Sequence, residues 1–472
     1  MVGMIYWSRR GANYNFYFFI FNLREAIMIN LSIFKSYDIR GIYSSELNEE
    51  AAYLIGRAFA LKSKAREITV GSDMRLSGPA LKKALINGII DQGINVNDIG
   101  LVPIDAVYVC VGKFKSEAGI MITASHNPKE YNGFKMVLKD MQWVRGVELL
   151  DEINNLPQET SQTKGVINQK DIIPDYISHI LSFVELDTIK SFKIVVDAGN
   201  GMAGKIMPAL NEKIPVNIIP LNFTLDGSFP AHPSNPLLPE SQKQICETVV
   251  KEKADFGVIM DGDTDRVFFV DEKGKFIPAD ITLLLLAKLF LEREPGAGIV
   301  YNLLCSKIVP EMITEWGGQP LRSKVGYVNI SSIMRENNGI MGGELSAHYS
   351  FRDNAYADSG FIAFVILLQL LSEYEKPLSE IVKPFYRYFK SAEVNFKVED
   401  KDAVLEKIKK QYSDGKQDFL DGITVEYKDR WFNVRPSNTE PLLRLTIEAD
   451  TQELLEQKSR EIKSFLSLDD PR

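Results

Sequence analysis

"SFKIVVDAGNGMAG", residues 191–204, runs from a β-branched strand through a small, glycine-rich turn into the start of a helix. "REITVGSDMR" at 66–75 and "GAGIVYNLLCSK" at 296–307 share that layout. The three recur at intervals of roughly 105 to 125 residues, too long for a solenoid repeat and right for a series of α/β domains. Helical patterns such as "GPALKKALINGIIDQG" (78–93) and "ITLLLLAKLFLERE" (281–294) alternate with strands, as βαβ units do. The second is apolar, yet too short and too charged at its ends to cross a bilayer, so it reads as a buried helix.

The tail has a different grammar. From about residue 392 it reads strand "AEVNFKV", helix "DAVLEKIKKQY", strands "GITVEYK", "WFNVRPS" and "LLRLTIEA", then helix "TQELLEQKSREIKSFL". That order predicts a small α+β domain. Four domains follow, at 28–170, 171–274, 275–390 and 391–472. Residues 1–27 form an N-terminal extension containing "NFYFFIFNL" (15–23), which is too short to span a membrane and lacks a small-residue cleavage site. The working polypeptide is expected to start near Met28.

Composition narrows the classes. A chain of 472 residues exceeds one hydrophobic core, and its 45% apolar and 25% charged content is that of a globular protein. A net charge of −8 argues against a general nucleic-acid binder, while leaving room for a phosphorylated small molecule held by a few local cations. Cys110, Cys246 and Cys305 are far apart without metal-ligand spacing, which suits a reducing cytoplasm.

The chemistry concentrates in four loops. In "FGVIMDGDTDRVFFV" (256–270) a buried strand delivers Asp261, Asp263 and Asp265 into a tight turn relieved by Gly262. Alternating carboxylates converge hard oxygens on one small cation, which suits Mg²⁺, and Arg266 adds a planar fork for a phosphate or carboxylate. A solvated acidic turn is the plainer reading. An EF-hand fails because Arg266 occupies its sixth position, where glycine is needed. A phosphatase with Asp261 as nucleophile and Asp263 as acid/base also fits the pattern.

"TASHNPKEYNGFK" (123–135) offers Ser125 or His126 as a phosphoryl carrier with Lys135 nearby, in a loop shaped by Asn127, Pro128 and Gly133. A capping turn is the alternative. "RPSNTEP" (435–441) gives Arg435, Ser437, Asn438 and Thr439, a set able to cradle a phosphate or merely to form a turn. "GGELSAHYSF" (342–351) carries Glu344, Ser346 and His348, whose alternation along an extended stretch would put them on one face for sugar hydroxyls.

Together "FKSYDIRG" (34–41), "TASHNPKEYNGFK", "DGDTDR", "GELSAH" and "RPSNTEP" resemble, in order and spacing, the signature loops of the α-D-phosphohexomutase family, over nearly everything from about residue 30. The resemblance implies three similar α/β domains with mixed sheets and a smaller α+β domain around a central cleft. It implies reversible phosphoryl transfer between the 1- and 6-positions of a hexose phosphate through a phosphoserine at Ser125 and a 1,6-bisphosphate, which also serves as activator. Mg²⁺ would be held by Asp261, Asp263, Asp265 and phosphorylated Ser125. Lys135, Arg40 and Arg266 match positions that act at the reacting phosphate. Tyr37, His126, Glu344, Ser346, His348, Arg435, Ser437, Asn438 and Thr439 match substrate contacts. The "FKSYDIRG" opening and "GELS" loop favour the phosphomannomutase/phosphoglucomutase branch, with mannose or glucose left undecided.

Three positions depart from the family pattern. Tyr327 stands where histidine is common, Leu304 where lysine or arginine is common, and Ala347 where glycine is usual. All lie in the third domain, so substrate choice and rate are the properties they bear on. A Mg²⁺-dependent sugar-phosphate phosphatase and a non-catalytic hexose-phosphate binder are the competing functions.

Overall fold

The structure, a computed structural model, describes residues 29–398, 400–437 and 442–467, with the backbone of 9–10 and 13–14. Most of the N-terminal extension, including the stretch 15–23, lies outside the described residues, as do Asn438 and Thr439. The chain divides into two compact units, 1–276 with 353–373 and 277–352 with 374–472.

The first unit contains two mixed sheets. In one, Ala118–Ile122, Glu67–Ser72, Asn95–Leu101 and Ile167–Gln169 run parallel, while Tyr131–Leu138 and Ile39–Ile42 continue the sheet antiparallel. The central strands are buried runs of β-branched and aliphatic residues, as sheets covered on both faces require. Helices Glu49–Ser63 and Gly78–Ile90 begin with recognisable signals, an Asn48 cap on the Ala51 N–H and Pro79 in the first turn. They cross so closely that a Cβ at Gly88 would stand 2.1 Å from the Tyr53 carbonyl oxygen. In the other sheet, Val216–Leu221, Phe192–Asp197 and Phe256–Met260 are parallel and Val267–Asp271 is antiparallel.

Within the second unit, Gln319–Ser323, Gly298–Asn302 and Met341–Gly343 are parallel and Tyr349–Phe351 pairs antiparallel with the last. Beside them lies Ala279–Arg293, the leucine-rich helix, with most of its residues buried. No helix among the described residues is long and apolar enough to cross a membrane. The tail forms an antiparallel sheet, Phe389–Lys390, Leu442–Ala449, Arg430–Pro436, Ile423–Glu426 and Lys416–Asp418, with Val394–Lys397 also on Leu442–Ala449. Helices Lys401–Gln411 and Gln452–Ser467 pack on it around a core that includes Ile408, Val434, Leu445 and Ile462. Three mixed α/β sheets followed by a smaller α+β domain are the architecture expected from the sequence.

Candidate active site

Two strands of the first unit, Ala118–Ile122 and Phe256–Met260, end in the two chemically loaded loops. Parallel strands carry their loops outward at their carboxyl ends, where ligands are met. Ser125 is held in a left-handed conformation, φ 47°, with its N–H donated to Thr123 Oγ1 at 2.9 Å. Its hydroxyl donates to Asp261 Oδ2 at 2.6 Å. Thr123 donates to Asp263 Oδ2 at 2.9 Å, tying the serine loop to the acidic one.

Asp261, Asp263 and Asp265 are all buried, with a ligand-capable oxygen from each within 4.8 Å of the others. Lys135 Nζ lies 2.5 Å from Asp265 Oδ2 and 3.2 Å from Asp263 Oδ2. It reaches them from strand Tyr131–Leu138, whose pairing sets Lys135 opposite Met121. Burial pushes the Asp261 carboxyl well above its ordinary value, and the charges of Asp265 and Asp263 push the same way. Asp263 Oδ1 is buried without a hydrogen-bond partner. Lys135 and the guanidinium of Arg266, 3.9 Å from Asp261, are two cations against three clustered carboxylates, so a divalent cation has buried negative charge to neutralise. The residues therefore fit a hard metal ion: oxygen donors only, one of them orphaned.

Arg266 donates its N–H to Asp261 Oδ1 at 3.2 Å and holds its guanidinium 3.9 Å from Oδ2. The turn takes its left-handed residue at Thr264, φ 67°, so no sixth-position glycine is needed and the calcium-loop pattern is absent. Gly262 is required by close approach, since a Cβ there would lie 2.9 Å from the Ser125 carbonyl oxygen. Arg40 donates to Asn127 Oδ1 and Asp38 Oδ2, both at 2.5 Å, and to the Ala124 carbonyl at 3.2 Å. Tyr37 lies half-buried in the bend before Ile39–Ile42. His126 Nδ1 is 3.3 Å from Ser125 Oγ, beside a cavity of about 610 Å³ lined also by Lys129, Phe229 and His232.

One residue essential to this geometry escaped the sequence reading. Arg75, the last residue of "REITVGSDMR", is buried and donates to the carbonyls of Ser125, Asn127, Pro128 and Tyr131 at 2.7 to 2.9 Å. Asp73 sits 3.3 Å from its Nε. An Asp-x-Arg pair directly after a buried strand was the available signal. Gly133 also differs from expectation. It lies inside strand Tyr131–Leu138, paired with Arg40, and glycine is required there because a Cβ would stand 2.1 Å from the Ile39 carbonyl oxygen.

In the second unit Glu344, Ser346 and His348 do converge, but through a tight turn between Met341–Gly343 and Tyr349–Phe351, not by alternation along a strand. Glu344 accepts from Ser346 Oγ, from His348 Nδ1 at 2.7 Å and from the Gly326 N–H at 2.9 Å. Ala347 occupies the left-handed region, φ 66°, where glycine carries no Cβ penalty. A left-handed alanine costs about 1–2 kcal/mol, and glycine gives back about 0.4–1 kcal/mol through the unfolded chain. Ala347→Gly is therefore expected to stabilise the fold by roughly 0.5 kcal/mol, read as a higher Tm. A clear fall in Tm would contradict it. The Tyr327 ring lies 5.7 Å from that of His348. Leu304 is buried, and its carbonyl accepts from Lys390, which also reaches Asp280 at 3.1 Å.

Burial alone would raise the Glu344 carboxyl, yet its partners His348, Ser346 and Gly326 hold it at about 2, below its ordinary 4.5. A depressed carboxyl stabilises the fold fully above 4.5 and loses that contribution as pH falls from 4.5 towards 2. The contribution is on the order of 3 kcal/mol. In thermal melts across that window, Glu344→Gln is expected to show a flatter acid limb than the unaltered protein. Parallel limbs would remove the assignment.

Arg435 is buried on strand Arg430–Pro436, with Nη2 2.9 Å from Glu393. The Ser437 N–H bonds the Leu442 carbonyl at 2.8 Å, and the Ser437 carbonyl accepts from Lys401 at 3.1 Å.

Four family models, described as phosphoglucomutase/phosphomannomutase α/β/α domains I, II and III and the C-terminal domain, match residues 31–162, 174–274, 278–389 and 393–463. A phosphomannomutase of Vibrio cholerae is 39% identical over 89% of this chain and 95% of its own. A phosphomannomutase/phosphoglucomutase of Pseudomonas aeruginosa is 37% identical over 92% and 95%. A crystal structure of a phosphoglucomutase/phosphomannomutase family protein from Burkholderia thailandensis superposes with a TM-score of 0.87 at 32% identity, over 94% of this chain and 99% of that one.

Proposed function

The chain belongs to the phosphoglucomutase/phosphomannomutase family and is a phosphohexomutase, an isomerase of carbohydrate metabolism; from that premise we propose that it moves a phosphoryl group between the 1- and 6-positions of mannose or glucose phosphate, with phosphorylated Ser125 as carrier. The observation that carries this reading is the Ser125 hydroxyl, 2.6 Å from Asp261, in a buried setting with Asp263, Asp265 and Lys135. A carrier serine needs its loop held in one pose beside cations, and the left-handed Ser125, braced by Arg75, has that support.

In the forward half, the free hydroxyl of the hexose phosphate attacks the phosphorus on Ser125. A P–O bond to the sugar forms as the P–Oγ bond breaks, and the proton lost by the sugar hydroxyl ends on the leaving Ser125 Oγ. The product is a 1,6-bisphosphate, which must present its other end so that the phosphate the substrate brought in passes to Ser125, regenerating the phosphoserine and releasing the isomeric monophosphate. Lys135 and Arg266 would offset charge on the transferring oxygens, and Arg40 would fix the serine loop through Ala124 and Asn127. Mg²⁺, bound by the three aspartates and the serine phosphate, would supply charge neutralisation at those oxygens. Tyr37 and His126 would contact the phosphorylated sugar on the serine side. Glu344, Ser346 and His348 would read sugar hydroxyls, and Arg435, Ser437, Asn438 and Thr439 would hold the distal phosphate.

We also assign hexose 1,6-bisphosphate as activator, domain boundaries near 170, 274 and 390, and a cytoplasmic location, which free Cys110, Cys246 and Cys305 suit. The test is a coupled assay with Mg²⁺ and a trace of bisphosphate, offering mannose 1-phosphate and glucose 1-phosphate separately. Formation of 6-phosphate is expected, and the ratio of the two rates decides between mannose and glucose. Release of free phosphate without isomer would instead favour the phosphatase with Asp261 as nucleophile. Saturable binding without any conversion would favour a non-catalytic binder.

A further inference from the structure

The serine loop and the acidic loop are joined by a third segment that the family loops do not include. Residues 226–238 follow the second-sheet strand Val216–Leu221 and pack against both. The segment is anchored along its length. The Asp226 N–H bonds the Asn200 carbonyl at 3.1 Å, and Phe229 lies under the Arg75 guanidinium, 5.1 Å away. His232 sets one ring nitrogen 3.2 Å from Asp197 Oδ2 and the other 2.8 Å from the Pro233 carbonyl. Ser241 Oγ donates to that same Pro233 carbonyl at 2.9 Å.

This anchoring delivers Ser234, 5% exposed, between the two reactive loops. Its hydroxyl donates to the Ser125 carbonyl at 3.2 Å and accepts from the Gly262 N–H at 3.1 Å. The hydroxyl thus spends its one proton on the carrier residue's backbone and a lone pair on the residue between Asp261 and Asp263. Gly262 permits the contact, since a Cβ there would stand 2.9 Å from Ser234 Oγ. The same Ser125 carbonyl also accepts from Arg75 at 2.8 Å.

We propose that Ser234 is a positioning residue for phosphoryl transfer, setting the spacing between Ser125 Oγ and the Asp261–Asp265 carboxylates. It touches neither sugar nor metal in this role. The inference rests on the reading of Ser125 as phosphoryl carrier. Without the hydroxyl, the buried Gly262 N–H and Ser125 carbonyl lose their common bridge, and the two backbones, still tied through the Thr123–Asp263 side-chain bond, lose the contact that fixes their spacing.

The experiment uses the full chain, with Ser234→Ala and Ser234→Thr beside the unaltered protein. Four quantities are read: kcat and KM for glucose 1-phosphate with Mg²⁺, Mn²⁺ affinity by calorimetry, and Tm without metal. Ser234→Ala is expected to lower kcat by roughly 10- to 100-fold, because misplacement of about 1 Å costs that much in a positioned reaction. KM should stay within about 2-fold, since the sugar contacts lie elsewhere. Mn²⁺ should bind about 10-fold more weakly, as expected when a group that orients metal ligands is removed. Ser234→Thr, which keeps the hydroxyl, should recover most of both losses. An Ala variant with unchanged kcat and Mn²⁺ affinity overturns the proposal, as does a Thr variant as impaired as the Ala one. If the unaltered protein shows no isomerisation, the mutase reading fails by itself, and the Mn²⁺ comparison still decides whether Ser234 spaces the two loops.

Discussion

Ser125→Ala is expected to abolish interconversion of hexose 1- and 6-phosphates, a loss on the order of 10⁴-fold or more, because the covalent carrier has no substitute. No other hydroxyl on that loop occupies its position: Thr123 Oγ1 is committed to Asp263 and to the Ser125 N–H. The loop itself should persist, because Arg75 holds it through backbone carbonyls that alanine retains. The stability change should be about 1 kcal/mol, the value of one hydrogen bond to Asp261. Hexose-phosphate binding should therefore remain within a few-fold, measured by calorimetry, while intact-mass analysis after incubation with glucose 1,6-bisphosphate shows no phosphorylated enzyme. Retained mutase turnover would falsify the assignment. Retained phosphate release in its place would move the chemistry to Asp261.

Asp263→Asn should have the next largest effect, a fall in kcat on the order of 10³-fold, with metal affinity weakened on the order of 10- to 100-fold. Asp263 Oδ2 already accepts from both Thr123 and Lys135, and Oδ1 is its orphan. An amide keeps the shape but removes a charge and places an N–H₂ where only acceptors serve. The metal-free variant should melt at least as high as the parent, since it removes one of the charges that push Asp261 upward, and Lys135 keeps Asp265 at 2.5 Å. That combination of a slower enzyme and an undiminished apo Tm separates lost chemistry from lost fold. Full activity with an unchanged Mg²⁺ requirement would show that the metal binds elsewhere.

The segmental logic of the chain was open to reading because it is local. β-Branched runs such as "FKIVV" and helix openings such as "GPALKK" declare themselves within a dozen residues. Strands Phe192–Asp197 and Glu67–Ser72 and helices Gly78–Ile90 and Ala279–Arg293 all lie where that pattern put them. The acidic triad was legible for a related reason, since alternation along one turn is enough to bring three oxygens together. The Glu344 cluster was found for an incorrect reason. The residue set was right, but a tight turn with a left-handed Ala347 gathers it, and a turn's geometry depends on backbone bonds such as Gly326 N–H to Glu344.

Order of motifs, domain class and the chemical type of each loop were thus determined by the sequence, because each depends on neighbours within one element. What joins loops far apart in the chain was decided only by the tertiary structure. Arg75 beneath the serine loop, Lys135 between two aspartates, and Ser234 bridging Ser125 to Gly262 span 50, 128 or more, and 28 to 109 residues. No periodicity encodes such pairs. They exist because sheet register and loop packing bring buried polar groups within reach, where each must find a partner or carry the cost of leaving water.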